Sequence, residues 1–519
     1  MTQYDYVVIG AGSAGCVVAN RLTENSSATV LLLEAGNQAT KPEIQVPEAW
    51  QSLLGTEVDW AYWTEPEPYL NGRKILCSRG KVVGGSSSIN AMIYIRGNRH
   101  DFNHWQELGN PGWSYEDVLP YFRKSENQQR GESQFHGVDG ALSVSDLIAP
   151  TVTSKRFIEA AEQIGYNINP DFNGAQQEGA GMYQFTIKDG KRHSAAAAFL
   201  LPILDRPNLT VQTGTLVTRL LFEGSCAVGV EYLHQGKLHQ VYINQEVIVS
   251  AGAFDSPKLL MLSGIGNAEH LRSLNIPIIA DLPGVGENLQ DHIYVKVGHR
   301  ATQDLQPAST SNRVEAGMFL HTEGSLNRQP DLQFFVSVPS ESHNEGVGFG
   351  IIACLTNPHS RGSVTVRTTD PKDSPCIRMN YLQSQSDVQK LVRGLRIIRQ
   401  LFNTDAFNEF CGEEIAPGAD VQSDEALQAY VRNVVGTIWH PVGTCKMGID
   451  SMAVVDSQLR VHGIDGLRVV DASIMPTLTT GNTNAPTIMI GEKAADLIKA
   501  QGKVLDSEEA WQRMASRFR

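Results

Sequence analysis

Gly10-Ala11-Gly12-Ser13-Ala14-Gly15 has the spacing GxGxxG. Each glycine permits something a side chain would forbid. Gly10 allows a tight turn, Gly12 lets a backbone approach a pyrophosphate, and Gly15 lets a helix pack closely on a strand. The surroundings suit this chemistry. Tyr4 to Ile9 reads as a buried strand, Ser13 to Leu22 as a helix, and Thr29 to Leu33 as a second strand ending at Glu34, nineteen positions after Gly15. The helix start, with Ser13 and Ala14, would offer N–H donors and a positive dipole end to phosphates. The Glu34 carboxylate would accept hydrogen bonds from both ribose hydroxyls and repel a 2′-phosphate, which disfavours NADP. The fingerprint alone leaves FAD and NAD open. A second cluster, Gly80-Lys81-Val82-Val83-Gly84-Gly85-Ser86-Ser87-Ser88-Ile89-Asn90, exposes backbone N–H groups that could cradle a phosphate or line a flavin ring.

These motifs need a scaffold, and the chain is long enough for one. Its 519 residues suit a large two-domain protein. Hydrophobic residues make up 41% and charged residues 19%, an ordinary globular balance. The net charge of −13 argues against nucleic acid or anionic lipid as the main partner. Seven scattered cysteines without a CxxC pair argue against a disulfide framework or a metal site and suit a reducing compartment. No leader precedes Tyr4 and no apolar run is long enough to span a bilayer, so the expectation is a cytoplasmic protein, with peripheral membrane association left open.

Strand and helix signals alternate at both ends, which predicts an α/β core. Val211 to Glu223, Gly229 to Leu233 and Gln240 to Ser250 read as a β-meander leading into a parallel strand, with a helix from Ser256 to Leu262. The middle mixes strand-like Gly362 to Arg367 with helical Asp387 to Phe402. The end returns to a strand at Val469 to Val470 and a helix at Thr487 to Ala500. The reading is a Rossmann-like domain from residues 1–155, 195–298 and 435–519. A substrate domain of α+β type, an antiparallel sheet flanked by helices, takes 156–194 and 299–434.

Together the motifs resemble the glucose-methanol-choline oxidoreductases. Gly80 to Asn103, with Gly84-Gly85-Ser86-Ser87, Asn90, Tyr94 and Gly97, is similar to that family's first signature. Gly252-Ala253-Phe254-Asp255-Ser256-Pro257, running to Ser263-Gly264-Ile265-Gly266, is similar to its second. Trp439-His440-Pro441-Val442-Gly443-Thr444 and Gly481-Asn482-Thr483-Asn484-Ala485-Pro486-Thr487 resemble its C-terminal active-site motifs. Thr444-Cys445-Lys446-Met447-Gly448 is most similar to the choline-dehydrogenase-type branch. The resemblance implies FAD. It places Val83, Gly84, Ser87 and Asn90-Ala91-Met92-Ile93 along the pyrophosphate and flavin, and Val217 at the adenine through its backbone. Asp471 and Ala472 would hold the ribityl region, and Asn484 would sit at the pyrimidine edge. Ala35, Ala251, Trp439, Pro486 and Thr487 complete the implied cofactor contacts. Members that bind FAD covalently use a histidine just before the signature asparagine. Here that position is Ile89, so the cofactor is expected to be non-covalent.

The resemblance also implies the catalytic pair. His440 matches the catalytic histidine, a residue type whose pKa suits removal of a hydroxyl proton as hydride leaves the alcohol carbon. Asn482 matches the second position; an amide can steady the developing alkoxide but is no base near neutral pH. His292 is expected to be structural and away from this pair. The expected reaction is oxidation of a primary alcohol to an aldehyde, with oxygen or a quinone as acceptor. The same family contains hydroxynitrile lyases and a light-driven fatty-acid decarboxylase, which the motifs leave as alternatives.

Overall fold

The structure, a computed structural model, describes residues 3–24, 27–302, 311–322, 329–337 and 348–505. Gln3–Ile9 lies inside a seven-stranded sheet. Val30–Leu33 and then Leu209–Gln212 run parallel to it on one side, and the C-terminal half of Lys237–Val249 does so on the other. Leu467–Val469 pairs in parallel with the end of that long strand. Strands covered on both faces need apolar residues at every position. Val7, Val8, Leu32, Val247, Ile248 and Val249 are accordingly fully buried. The first half of Lys237–Val249 turns back through Cys226–His234 and Thr215–Glu223 as an antiparallel meander.

The fold class is the one the sequence predicts, with shifts in detail. The helix Ser13–Leu22 stands at its expected bounds. Gly252–Leu262, Gln385–Phe402 and Asn484–Leu505 each start two to four residues earlier than expected. The single strand expected from Val211 to Glu223 is two. Leu209–Gln212 belongs to the parallel edge and Thr215–Glu223 to the meander, with Gly214 at φ +61° between them. β-branched residues on both sides of the break concealed it.

Four parallel strands end on one cavity. Gly10, Glu34, Ser250 and Asp471 follow or adjoin their carboxyl ends, and all four line it. Open α/β sheets bind ligands at that edge. A second seven-stranded sheet covers the cavity from the other side. Its order is Cys411–Ala416, Ile293–Ala301, Gly348–Leu355, Leu332–Ser337, Ala316–Leu320 and Gly179–Met182, with Gly436–Thr437 also beside Ile293–Ala301. Every pairing in it is antiparallel. Ile293–Ala301 lies wholly in this sheet, ahead of and across the boundary expected at 298. The two faces divide by alternation. Val295, Val297, Phe334, Ile351 and Ala353 pack with Leu391, Leu395 and Ile398 of the long helix. Tyr294, Phe335 and Ile352 face the cavity instead. No helix among the described residues is long and apolar enough to cross a membrane.

The two glycine clusters dock through backbone. Gly84 N–H donates to Ala11 O at 2.7 Å, and Val83 N–H to Asn37 O at 3.0 Å. A Cβ on Gly36 would sit 2.1 Å from Lys81 O and 2.3 Å from Val82 N. Gly36→Val therefore drives the second cluster off the first. We expect loss of about 1–3 kcal/mol of stability from such overpacking, read as a lower melting temperature, together with purified protein that carries little flavin. A variant with wild-type flavin content would show that the two loops need not touch.

Candidate active site

A cavity of about 360 Å³ runs between the two sheets, within the range of cofactor and ligand pockets. Its glycine-turn end suits an anionic dinucleotide. The helix Ser13–Leu22 starts at Gly12 with no side-chain cap and no acidic residue in its first turn, so its leading N–H groups are free to meet phosphate. Gly12 lines the wall, and a Cβ there would meet protein only at Ser250 O, 4.0 Å away. Gly85 packs against it so tightly that a Cβ would lie 2.7 Å from Gly12 Cα. The helix Gly252–Leu262 also begins on the wall without a side-chain cap. These residues fit FAD.

Most residues expected at the cofactor reach this wall. Gly10, Gly12, Ser13, Ala14, Glu34, Ala35, Asn90, Ala91, Met92, Ile93, Val217, Ala251, Trp439, Asp471, Ala472, Asn484 and Thr487 line it, as do His440 and Asn482. Gly15, Val83, Gly84, Ser87 and Pro486 lie behind it. A Cβ on Gly15 would come 1.9 Å from Gly10 O, so its smallness serves helix packing. Ser87 Oγ donates to Gly84 O and accepts from Ala195 N–H, which shapes the loop from inside. Glu34 holds the glycine turn, accepting from Ala11 N–H and Gly36 N–H at 2.8 Å each. Burial pushes it up to about 7 against the pull of those two donors. The Asp471 carboxylate is engaged by Gly252 N–H, Ser256 Oγ and Ser473 N–H. A bulge at Thr218 interrupts the ladder beside Val217.

At the other end stands His440. Its N–H donates to Asp291 Oδ1 at 2.7 Å, and Asp291 Oδ2 accepts from Tyr381 and Thr437 hydroxyls at 2.5 Å each. Trp439 takes φ +61°, an uncommon conformation for a bulky residue that turns the chain into the site. The structure corrects the expectation for His292. It is fully buried directly behind His440, with Nδ1 to Nδ1 at 2.9 Å. Its Nε2 lies 3.0 Å from Thr356 O. A carbonyl only accepts, so that Nε2 carries the proton. Burial holds His292 neutral, down to about 4, although the carbonyls of Thr356 and Thr479 pull the other way. Its Nδ1 is then an acceptor, and His440 must donate from Nδ1. That leaves a lone pair on His440 Nε2. Burial, then His292 and Arg79, holds His440 well below its ordinary value, so it too is neutral.

Asn482 Nδ2 lies 3.4 Å from His440 Nε2, and Gln333 Nε2 lies 3.4 Å from Asn482 Oδ1. The amide thereby presents its donor side to the histidine. Asp101 fixes the preceding turn, accepting from Thr480 N–H at 2.7 Å and the Thr480 hydroxyl at 2.9 Å. Gln177 donates to Thr480 O at 2.8 Å. Sequence reasoning missed Asp101, Gln333, Arg79 and Arg192. Arg79 donates to Trp439 O, and the buried Arg192 donates to the carbonyls of Ser87 and Asn90. Their partners are remote backbone atoms, which leave no local pattern.

Two family models match in chain order. The GMC oxidoreductase N-terminal model covers residues 4–294, and the GMC oxidoreductase C-terminal model covers 358–491. The chain belongs to the GMC oxidoreductase family. The chain is 43% identical to the mitochondrial choline dehydrogenase of Mus musculus, over 97% of this chain and 91% of that one. It is also 43% identical to the oxygen-dependent choline dehydrogenase of Rhizobium etli, over 98% of each. Among solved structures, pyridoxine 4-oxidase from Mesorbium loti matches with a TM-score of 0.90 and 34% identity, over 95% of this chain and 98% of that one. The protein is thus an FAD-dependent alcohol oxidoreductase. Ile89 lies on the cavity wall, and its side chain has no nucleophilic atom. Acid precipitation should therefore release all the flavin into the supernatant. Yellow colour retained on the pellet would mean a covalent link elsewhere.

Proposed function

We propose that the protein oxidises a primary alcohol to an aldehyde, with His440 Nε2 as the base. The observation that carries this is the chain Thr356 O, His292, His440, which aims a bare imidazole nitrogen at the cavity. Bound FAD supplies, at N5, the acceptor for the hydride that leaves the alcohol carbon. The rest is the work of the chain. A hydroxyl between His440 Nε2 and Asn482 Nδ2 gives its proton to the first. The amide N–H then donates to the oxygen as charge grows on it. Tyr294, Phe335 and Ile352 of the antiparallel sheet give the same cavity an apolar wall. The wall at the carboxyl ends of the parallel strands would hold FAD, and the residues of the antiparallel sheet would face the substrate. Oxygen or a quinone then takes the electrons, and the protein works in the cytoplasm.

His440→Ala should slow anaerobic flavin reduction by about 10²–10⁴-fold with flavin content unchanged. A rate close to wild type would remove His440 as the base. The depressed basicity of His440 also sets the pH dependence. The base works unprotonated, so activity is lost as pH falls through its lowered pKa. The reduction rate should stay flat through neutral pH and decline only well below the ordinary histidine range. His292→Phe deletes the Nδ1 acceptor. It should cost about tenfold or more, the low end of what misplacing a general base does, and move the acid limb of the profile. An unchanged limb would make His292 a packing residue only.

A further inference from the structure

Building on that alcohol oxidation, we propose that the substrate is an uncharged primary alcohol with an apolar aryl or alkyl body, and that a quaternary ammonium alcohol is rejected by charge. The names of the relatives point to choline, and the wall beside His440 does not suit it.

The carboxylates on the cavity wall are Glu34, Asp255 and Asp471, among the described residues. Each belongs to the cofactor half. Glu34 closes the glycine turn, Asp255 receives the Tyr62 hydroxyl at 2.9 Å, and Asp471 accepts from Gly252 N–H at 2.8 Å. Around the catalytic end the wall is Ile93, Tyr294, Val314, Phe335, Ile352 and Ile438, which pack as one apolar cluster. Asp291 stands behind His440, off the wall, with its oxygens committed to Tyr381, Thr437 and a backbone N–H. Arg79, on the wall, balances it.

Aromatic faces could replace a carboxylate if several met at one point. They do not. Tyr294 and Phe335 stand on strands separated by Gly348–Leu355, two spacings or about 10 Å apart, and in different cross-strand rows, Tyr294 opposite Cys354 and Phe335 opposite Ile352. Trp50 and Trp439 pack edge-on against each other at 6.1 Å. A positive charge, Lys296, stands in the row of the wall residues Ile352 and Phe335. Lys296 pairs with Ile352, and Ile352 pairs with Phe335, so all three share one cross-strand row. The Lys296 stem lies over Gly350, where a Cβ would come 2.1 Å from its Cε. No carboxylate among the described residues lies within ion-pair distance of it, and burial pushes its ammonium down from the ordinary value. A trimethylammonium group would lose its hydration here, gain no counter-charge from the wall, and have a lysine in the cross-strand row of Ile352 and Phe335.

Choline and 3,3-dimethylbutan-1-ol form a clean test, because they share a shape and differ in the central atom, N⁺ against C. Anaerobic flavin reduction by the holoenzyme should favour the neutral isostere by about 100-fold or more in kcat/KM, the scale expected when an uncompensated charge is desolvated. Benzyl alcohol and 1-octanol should also reduce the flavin. Calorimetric titration of both isosteres into the His440→Ala holoenzyme should give the same order of affinity without turnover. Lys296→Met should raise the choline rate severalfold while leaving the neutral isostere within about twofold. Choline equal to or better than its isostere, or an unchanged ratio in Lys296→Met, would overturn the proposal while leaving alcohol oxidation intact. Silence from every alcohol tested would sink alcohol oxidation and this proposal together.

Discussion

One contact between two imidazoles underlies the chemistry proposed for this molecule. His292 and His440 meet Nδ1 to Nδ1 at 2.9 Å in a buried setting. Two neutral rings satisfy such a contact only if one donates and the other accepts. Thr356 O decides which, because it claims the proton of His292 at Nε2. The carbonyl of a strand end thus sets the tautomer of a residue it does not touch. Leaving a buried polar group unpaired costs about 1–3 kcal/mol, so the arrangement resists exchange with the other tautomer.

The fold supplies each member of that chain from a different place. Thr356 follows the strand Gly348–Leu355, His292 precedes Ile293–Ala301, and these two strands pair along their length. His440 comes from the loop after Gly436–Thr437, which pairs with the start of Ile293–Ala301. Asn482 comes from the loop between the last parallel strand and the helix Asn484–Leu505, whose start is tied to the glycine-turn helix by Ser13 Oγ to Asn484 Oδ1 at 2.7 Å. The antiparallel sheet therefore holds His440 and the parallel sheet holds its amide partner Asn482. Their alignment depends on how the sheets close over the cavity. Gln333 makes the crossing explicit, since it stands on the antiparallel sheet and reaches Asn482.

The cofactor half was largely legible in the sequence, and the catalytic half only in part. Turn, helix and acidic residue in Gly10 to Glu34 are neighbours in sequence, so their chemistry survives as spacing. The His440 and Asn482 motifs were found by resemblance. His292 was read as remote, because nothing local marks a histidine whose partner stands 148 positions away. Asp101, Arg79 and Arg192 escaped for a related reason. They act on backbone carbonyls and N–H groups that any residue type would carry. The break at Gly214 was hidden by β-branched residues on both sides, whereas the alternation in Ile293–Ala301 and Gly348–Leu355 became informative only once their partners were known.

The central claim is a proton position, and it is directly measurable. Nitrogen-15 NMR of holoenzyme labelled at histidine, with His440→Gln and His292→Phe for assignment, reports which ring nitrogens carry hydrogen. At neutral pH the structure predicts His440 protonated at Nδ1 and bare at Nε2, and His292 protonated at Nε2 and bare at Nδ1. A His440 carrying its proton on Nε2, or present as imidazolium at neutral pH, would contradict the account.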